Sequence, residues 1–437
     1  MVENRTAERT TRTTLSMKAV ADQHRHKSFP RLTRSDYTPH RVPGPAPVEV
    51  GLLTGGDDKT YAWGLTDALV SQGVHVDFIG SDNLDSPHLH GSDLVNFLNL
   101  RGSQNEKVSR REKVVRIITY YLRLLKYAAV ARPRILHILW NNKFEFIDRT
   151  ILMVYYKAIG KKLAFTAHNV NAAKRDSKDS WLNRFTLAFQ YRTADHIFVH
   201  TNRMKDELVA DFSMRSNKIT VIPFGINNVY PCTDITADAA RARLGLGKNE
   251  KVVLFFGRIA PYKGLEYLVS AMSHLQDIRD IRLIIAGKVK AGYTDYWSGI
   301  QREIERSSIA EKIIAKVQYI PDEDVELYFK GADALILPYT QIFQSGLPFL
   351  AYSFGLPVIA TDVGSLREDI IEGRTGFICA PRDPADLAEK MKTYFSSDLY
   401  SALEARRQEI RDFANERYSW TKVAEMTTAV YKSLLTV

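Results

Sequence analysis

The stretch "KVVLFFGRIAPYKGLEYLVSAM", Lys251 to Met272, decides the fold class. It opens on a short apolar run, Val252 to Phe256, rich in the β-branched and aromatic residues of a buried strand. A break follows at Gly257, and from Leu265 the apolar residues return at helical spacing. Strand, loop and helix in that order form the repeating unit of a parallel sheet.

The same unit recurs in both directions. Toward the N-terminus the apolar runs are "VEVGLL" (48–53), "VHVDFIG" (74–80), "RILHILW" (134–140), "KKLAFTAHN" (161–169), "HIFVHT" (196–201) and "KITVIPFG" (218–225). Toward the C-terminus they are "IRLIIAGK" (281–288), "ALILPY" (334–339) and "PVIATD" (357–362). Two successive series predict an α/β protein of two doubly wound, Rossmann-like domains facing each other across a cleft. The domains run over 47–228 and 229–437, joined near Asn227–Thr236, with the last helix returning to the N-terminal domain. Ligands of such sheets bind beyond the carboxyl ends of the strands. Residues 1–46, rich in Thr, Arg and His and ending in "RVPGPAP", read as a disordered segment.

Composition narrows the function. The 437 residues are 45% apolar and 25% charged, as expected of a globular protein. Cys232 and Cys379 match no metal or disulfide spacing. No apolar run is long enough to span a bilayer, and no secretory signal opens the chain, so a cytoplasmic protein is expected, in solution or peripheral on the inner face of the plasma membrane. The net charge of +10 divides into +5 over 1–46, +7 over 47–228 and −2 over 229–437. An anionic partner for the first half would account for that asymmetry, as would solubility alone.

Two motifs carry chemistry. In "FFGRIAPYKG" the strand ends near Gly257, Arg258 projects from its carboxyl end, and Lys263 stands five residues on, where the next helix begins. A forked guanidinium and a point-charge ammonium converging on a helix start form a clamp for a diphosphate. In "PYTQIFQSGLPFLAYSFGLPVIATDVGSLRE", Pro338 to Glu368, Ser345 is expected to cap a helix and leave the N–H groups of Gly346 and Leu347 facing the cleft. Such a cradle binds phosphate without a carboxylate, although the same pattern suits an ordinary capped core helix.

Together "GRIAPYKG", "YIPDEDVELYFKGADALILPY" and "FGLPVIATDVGSLREDIIEGRTGFICAP" resemble the C-terminal domain of the group 1, family 4 glycosyltransferases, retaining enzymes of the GT-B fold. The resemblance covers roughly 48–435 and is looser in the first half, where "LLTGG" and "TAHNV" match. It implies transfer of a sugar from a UDP- or GDP-sugar to a carbohydrate or lipid-linked acceptor, in polysaccharide or glycolipid synthesis. By the same resemblance Arg258 and Lys263 bind the donor diphosphate, and the Gly55–Gly56 loop approaches donor or acceptor. His168 lies by the donor sugar, and the backbone of Gln318, Tyr319 and Ile320 reads the base. The family's two glutamates align with Ile342 and Leu350, so both carboxylates are absent. A divergent branch is the expectation, in which Gln344 and Ser345 of "QSG", with Glu368, meet the sugar hydroxyls. No Asp-x-Asp stands at a strand end, so neither a metal nor another cofactor is expected.

"SRREKVVRIITYYLRLLKYAAVARPR", Ser109 to Arg134, sets eight Arg or Lys and one Glu around Val114, Ile117, Ile118, Tyr121, Leu124 and Leu125. Such a helix either rests on an anionic bilayer or covers its own sheet. No nucleic-acid module is recognisable, and no nucleic-acid partner is expected. The rival to an enzyme is a catalytically silent nucleotide-sugar-binding protein of the same fold.

Overall fold

The computed structural model describes residues 48–55, 59–105, 108–175, 179–226, 230 and 232–436. The segment 1–46, Gly56 and the junction at 227–229 lie outside them.

Seven parallel strands form the first sheet: β1 (Glu49–Thr54), β2 (His75–Gly80), β3 (Val95–Asn99), β4 (Ile135–Trp140), β5 (Lys162–Thr166), β6 (His196–Val199) and β7 (Ile219–Val221). Six form the second: β8 (Lys251–Phe256), β9 (Ile281–Ala286), β10 (Ile313–Lys316), β11 (Ala334–Leu337), β12 (Val358–Thr361) and β13 (Gly376–Cys379). The spatial orders are β3-β2-β1-β4-β5-β6-β7 and β10-β9-β8-β11-β12-β13. Strand order reverses between β1 and β4 and again between β8 and β11, so each sheet has one switch point where the crossovers diverge and leave a crevice. β8 is bordered on both sides and keeps the apolar run of Val252 to Phe255 buried.

The last helix, Trp420–Thr436, crosses to the first sheet and lies along the helix Lys59–Ser71. Tyr431 of this helix is fully buried, and its hydroxyl meets Nδ1 of His137 at 2.6 Å in the middle of β4. Nε2 of His137 meets the Thr166 hydroxyl at 2.7 Å, and burial lowers the imidazole to about 3, so it is neutral. The Trp420 ring lies so close to Gly64 and Gly225 that a Cβ on either would come within 2.3 Å of it. Two glycines 161 residues apart thus share one reason to be glycine, since 225 − 64 = 161.

The basic segment forms the helix Arg110–Val130, capped by a reciprocal pair in which Ser109 Oγ accepts from Glu112 N–H and the Glu112 carboxylate from Ser109 N–H. Its apolar set divides. Leu124 is buried and Ile117, Tyr121 and Leu125 are half-buried, whereas Val114 and Ile118 are exposed along with Val115 and Leu122. No helix among the described residues is long and apolar enough to cross a membrane.

Candidate active site

A cavity of about 750 Å³ opens where the two switch points face each other. From the second domain it takes Gly257, Arg258 and Lys263, then Gln344, Ser345 and Leu347. From the first it takes Tyr61, Trp140 and Asn169. Lys59 and Asp322 form an ion pair from one domain to the other at its edge.

The clamp is built by backbone geometry. β8 ends at Phe256, Gly257 adopts φ +104°, and Arg258 emerges exposed, with no ion pair or hydrogen bond to another described residue. A single turn, Pro261–Lys263, then leads to Gly264, whose φ of +65° starts the helix Leu265–Ser273. A Cβ at Gly264 would stand 2.0 Å from the Pro338 carbonyl oxygen, so only glycine lets this turn approach the loop after β11. Lys263 is 9% exposed, and its Nζ donates to the Tyr339 hydroxyl at 2.7 Å. Tyr339 lies within the second motif, where Ser345 Oγ accepts the Leu347 N–H at 3.3 Å. The two sequence motifs are therefore joined through one phenol, which burial holds above the usual tyrosine range and so keeps protonated.

The first-domain wall is aromatic. Trp140 stacks flat on His168, with ring centres 4.4 Å apart and planes at 4°, and Tyr61 meets the same imidazole edge-on at 4.6 Å. His168 Nδ1 faces His200 Nε2 at 3.0 Å, while His168 Nε2 is buried and without a hydrogen-bond partner among the described residues. Burial first, and the neighbouring His200 second, hold His168 well below the ordinary histidine range, and burial takes His200 to about 4. Both rings are neutral near pH 7.

Arg258, Lys263, Gly257, Tyr319, Ile320, Gln344, Ser345, Gly346 and Leu347 all line the cavity. His168 does not, because Trp140 lies over it and places it one layer behind the surface. Gln318 is exposed outside the cavity, its N–H bonded back to Lys316. Gly55 lies outside it as well; its carbonyl accepts from Arg101, and a Cβ there would approach the Trp140 carbonyl to 2.3 Å. The helix start shifts by one residue: Gly346, not Ser345, is the N-cap of Leu347–Ser353, and the Leu347 N–H is already taken by Ser345 Oγ.

Two family descriptions match the chain. Residues 236–415 match Glycosyl transferases group 1, and residues 59–228 match Glycosyltransferase Family 4. The chain belongs to the group 1, family 4 glycosyltransferases. Among curated proteins, the D-inositol 3-phosphate glycosyltransferase of Streptomyces avermitilis is 32% identical over 251 residues, which is 55% of this chain and 52% of that protein. Its namesake in Corynebacterium efficiens is 26% identical over 292 residues, 63% and 66% of the two chains. The chain spans about half to two thirds of the length of these relatives. Among solved structures, sucrose-phosphate synthase from Thermosynechococcus elongatus superposes with a TM-score of 0.70 at 19% identity, over 89% of this chain and 99% of that one. The Anabaena HepE protein in complex with UDP-glucose gives 0.69 at 15%, over 88% and 99%. At these identities the likeness establishes the GT-B architecture alone.

Within this group 1 glycosyltransferase, Ile342 and Leu350, the positions aligned with the family's glutamates, both line the cavity with aliphatic side chains. Glu368 does not replace them. It is exposed on the one-turn helix Leu366–Asp369, which turns its neighbour Asp369 inward instead. Asp369 accepts from Gln344 Nε2 at 3.3 Å and from the Tyr418 hydroxyl at 3.4 Å, and burial raises its carboxyl to about 7. Gln344 Oε1 is buried and unpartnered. Asp369 thus holds the amide by its donor end and leaves its acceptor oxygen buried and unused beside the cavity that Gln344 lines. The sequence signal for Asp369 was its place beside Glu368 in "REDII"; only the turn of the helix decides which of the two acids faces in.

Proposed function

We propose that this chain transfers a sugar from a nucleoside-diphosphate sugar, with UDP- and GDP-sugars the first candidates, to an acceptor hydroxyl in polysaccharide or glycolipid synthesis, with retention of configuration. One observation carries the reading: an exposed arginine and a nearly buried lysine share a cavity of about 750 Å³ at the switch point of the second sheet. Arg258 and Lys263 would neutralise the charge that the leaving diphosphate acquires as the glycosidic bond breaks, with no metal required. Tyr339 positions the lysine, and Gln344 Oε1 accepts from a sugar hydroxyl in place of the family's carboxylates.

The acceptor side is assigned to the first domain. Val114, Val115, Ile118 and Leu122 are more than half exposed on a helix that also carries Arg110, Arg111, Lys113 and Arg116, a combination that suits the interface of an anionic bilayer. The protein would then work peripherally on the inner face of the plasma membrane.

Thermal unfolding against UDP-, GDP- and dTDP-sugars tests the donor assignment, because a ligand that binds only the folded state raises Tm. A rise with one nucleotide class that is lost in Lys263→Ala is the expected result. No rise with any of them, in a protein that unfolds cooperatively, would count against the reading.

A further inference from the structure

A second cavity, of about 470 Å³, lies in the first domain, and no residue of the donor cavity lines it. Arg101, Lys113, Arg116 and Lys143 converge on it, with Tyr120 and Asn142 also in its wall, and no carboxylate among the described residues lines it. Among the described residues none of the four cations is in an ion pair. Arg116 is anchored by the Ser103 and Asn105 carbonyls and Arg101 by the Gly55 carbonyl at 3.0 Å, with the Arg101 guanidinium 5.4 Å from the centre of the Tyr120 ring. Backbone acceptors orient these guanidinium groups without neutralising them. Asp148 is buried and engaged by the Tyr121 hydroxyl and the Asn142 amide, both at 2.9 Å.

Four like charges drawn to one concavity repel each other, and a bound polyanion relieves that repulsion. The placement suggests which anion. Arg101 follows β3, and its hold on Gly55 ties the pocket to the loop after β1, at the switch point that supplies the acceptor side of the cleft. We propose that this pocket binds a phosphate or diphosphate group carried by the acceptor, so that the acceptor is held by its charged end while its hydroxyl reaches the cleft. The proposal rests on the glycosyltransferase reading above and names the acceptor class for it. The group comes either from a soluble sugar phosphate or from a lipid-linked one. The exposed Val114, Val115, Ile118 and Leu122, on the helix that supplies Lys113 and Arg116, point to the lipid.

Calorimetric titration of inorganic pyrophosphate into full-length Arg258→Ala protein tests the pocket with the donor clamp weakened. One site is expected, at least about tenfold weaker when Lys113→Ala and Lys143→Ala are added, since each removes a charge-assisted contact. The Tm rise given by the nucleotide sugar, measured in the double variant with Arg258 intact, should remain. Phosphatidylcholine vesicles doped with a polyprenyl phosphate, compared with vesicles brought to the same charge by phosphatidylglycerol, separate the sources. A preference for the polyprenyl phosphate that the double variant loses supports the lipid-linked group. Pyrophosphate binding that depends on the two lysines without that preference supports the soluble one. Pyrophosphate affinity unchanged in the double variant overturns the pocket, whatever the donor experiment shows. Absence of any nucleotide effect beside lysine-dependent pyrophosphate binding would count against the donor assignment instead.

Discussion

On the second domain's side of the cleft the cavity is cationic, with Arg258 exposed and Lys263 held against Tyr339, whereas the first domain, apart from Lys59 paired with Asp322 at the edge, meets it with Tyr61 and Trp140, backed by histidines that burial keeps neutral. The difference separates two tasks. Under the proposed transfer, positive charge would face a departing diphosphate and aromatic surface a sugar ring gaining partial positive charge, which an imidazolium would repel.

The contrast breaks most visibly at Arg258. Replacing it with Ala should lower kcat/KM by about 100- to 1000-fold, and Lys should restore only part of this because the fork is lost; steady-state kinetics with the identified donor decide it.

Next in size is Asp369, an acid on the second domain's side that burial keeps partly protonated near neutrality. Its folded carboxyl, at about 7, lies above the ordinary aspartate value of 3.8, so the folded state binds a proton that the unfolded chain releases between those values. Stability should therefore fall as pH rises from about 4 to about 7 and level off above, by on the order of 2–4 kcal/mol, and Asp369→Asn should remove that fall. Denaturant unfolding at pH 5 and pH 8 measures it, and parallel curves for the two proteins would contradict it.

Gln344→Ala is expected to weaken donor binding or turnover several-fold, about 1 kcal/mol, the worth of one hydrogen bond to a hydroxyl. Ile118→Ser with Leu122→Ser should change stability by no more than about 0.5 kcal/mol per site while abolishing binding to anionic vesicles at moderate salt. Smallest of all is the effect expected of the neutral wall, since kcat/KM should show no histidine inflection near pH 6.5. Such an inflection, absent from His168→Asn, would mean that the imidazole takes a proton after all.

The strands that the sequence reveals and those that it hides differ by position. β8, β9, β11 and β12 announce themselves as apolar runs because neighbours border them on both sides. Of the four edge strands, β3 and β10 are half exposed, so "VNFLN" and "IIAK" carry no continuous apolar signal, whereas β7 is legible in "KITVIPFG" and the buried β13, four residues long, does not stand out. The site divides in the same way. Arg258, Lys263 and Ser345 are legible because a strand end and a helix start fix their places along the chain. Gln318, expected in the cavity by its backbone, lies on a solvent-facing loop with its N–H turned back to Lys316. Glu368 and His168 fall outside the cavity because side-chain direction decided their fate, through a one-turn helix and a stacked indole. Asp369 went unread for the same reason. The pairing of Lys263 with Tyr339, 76 residues away, depends on two strands being neighbours, which local pattern does not encode.

The contact between His137 and Tyr431 has a consequence for how the protein is made. The two residues are 294 positions apart. At the usual elongation speed of about 5–20 residues per second, β4 is out of the ribosome for on the order of 15–60 s before its covering helix exists. During that interval the nascent first domain presents an apolar face and an unmatched imidazole to its surroundings. A chain terminated before Trp420 would lack the helix that covers this face.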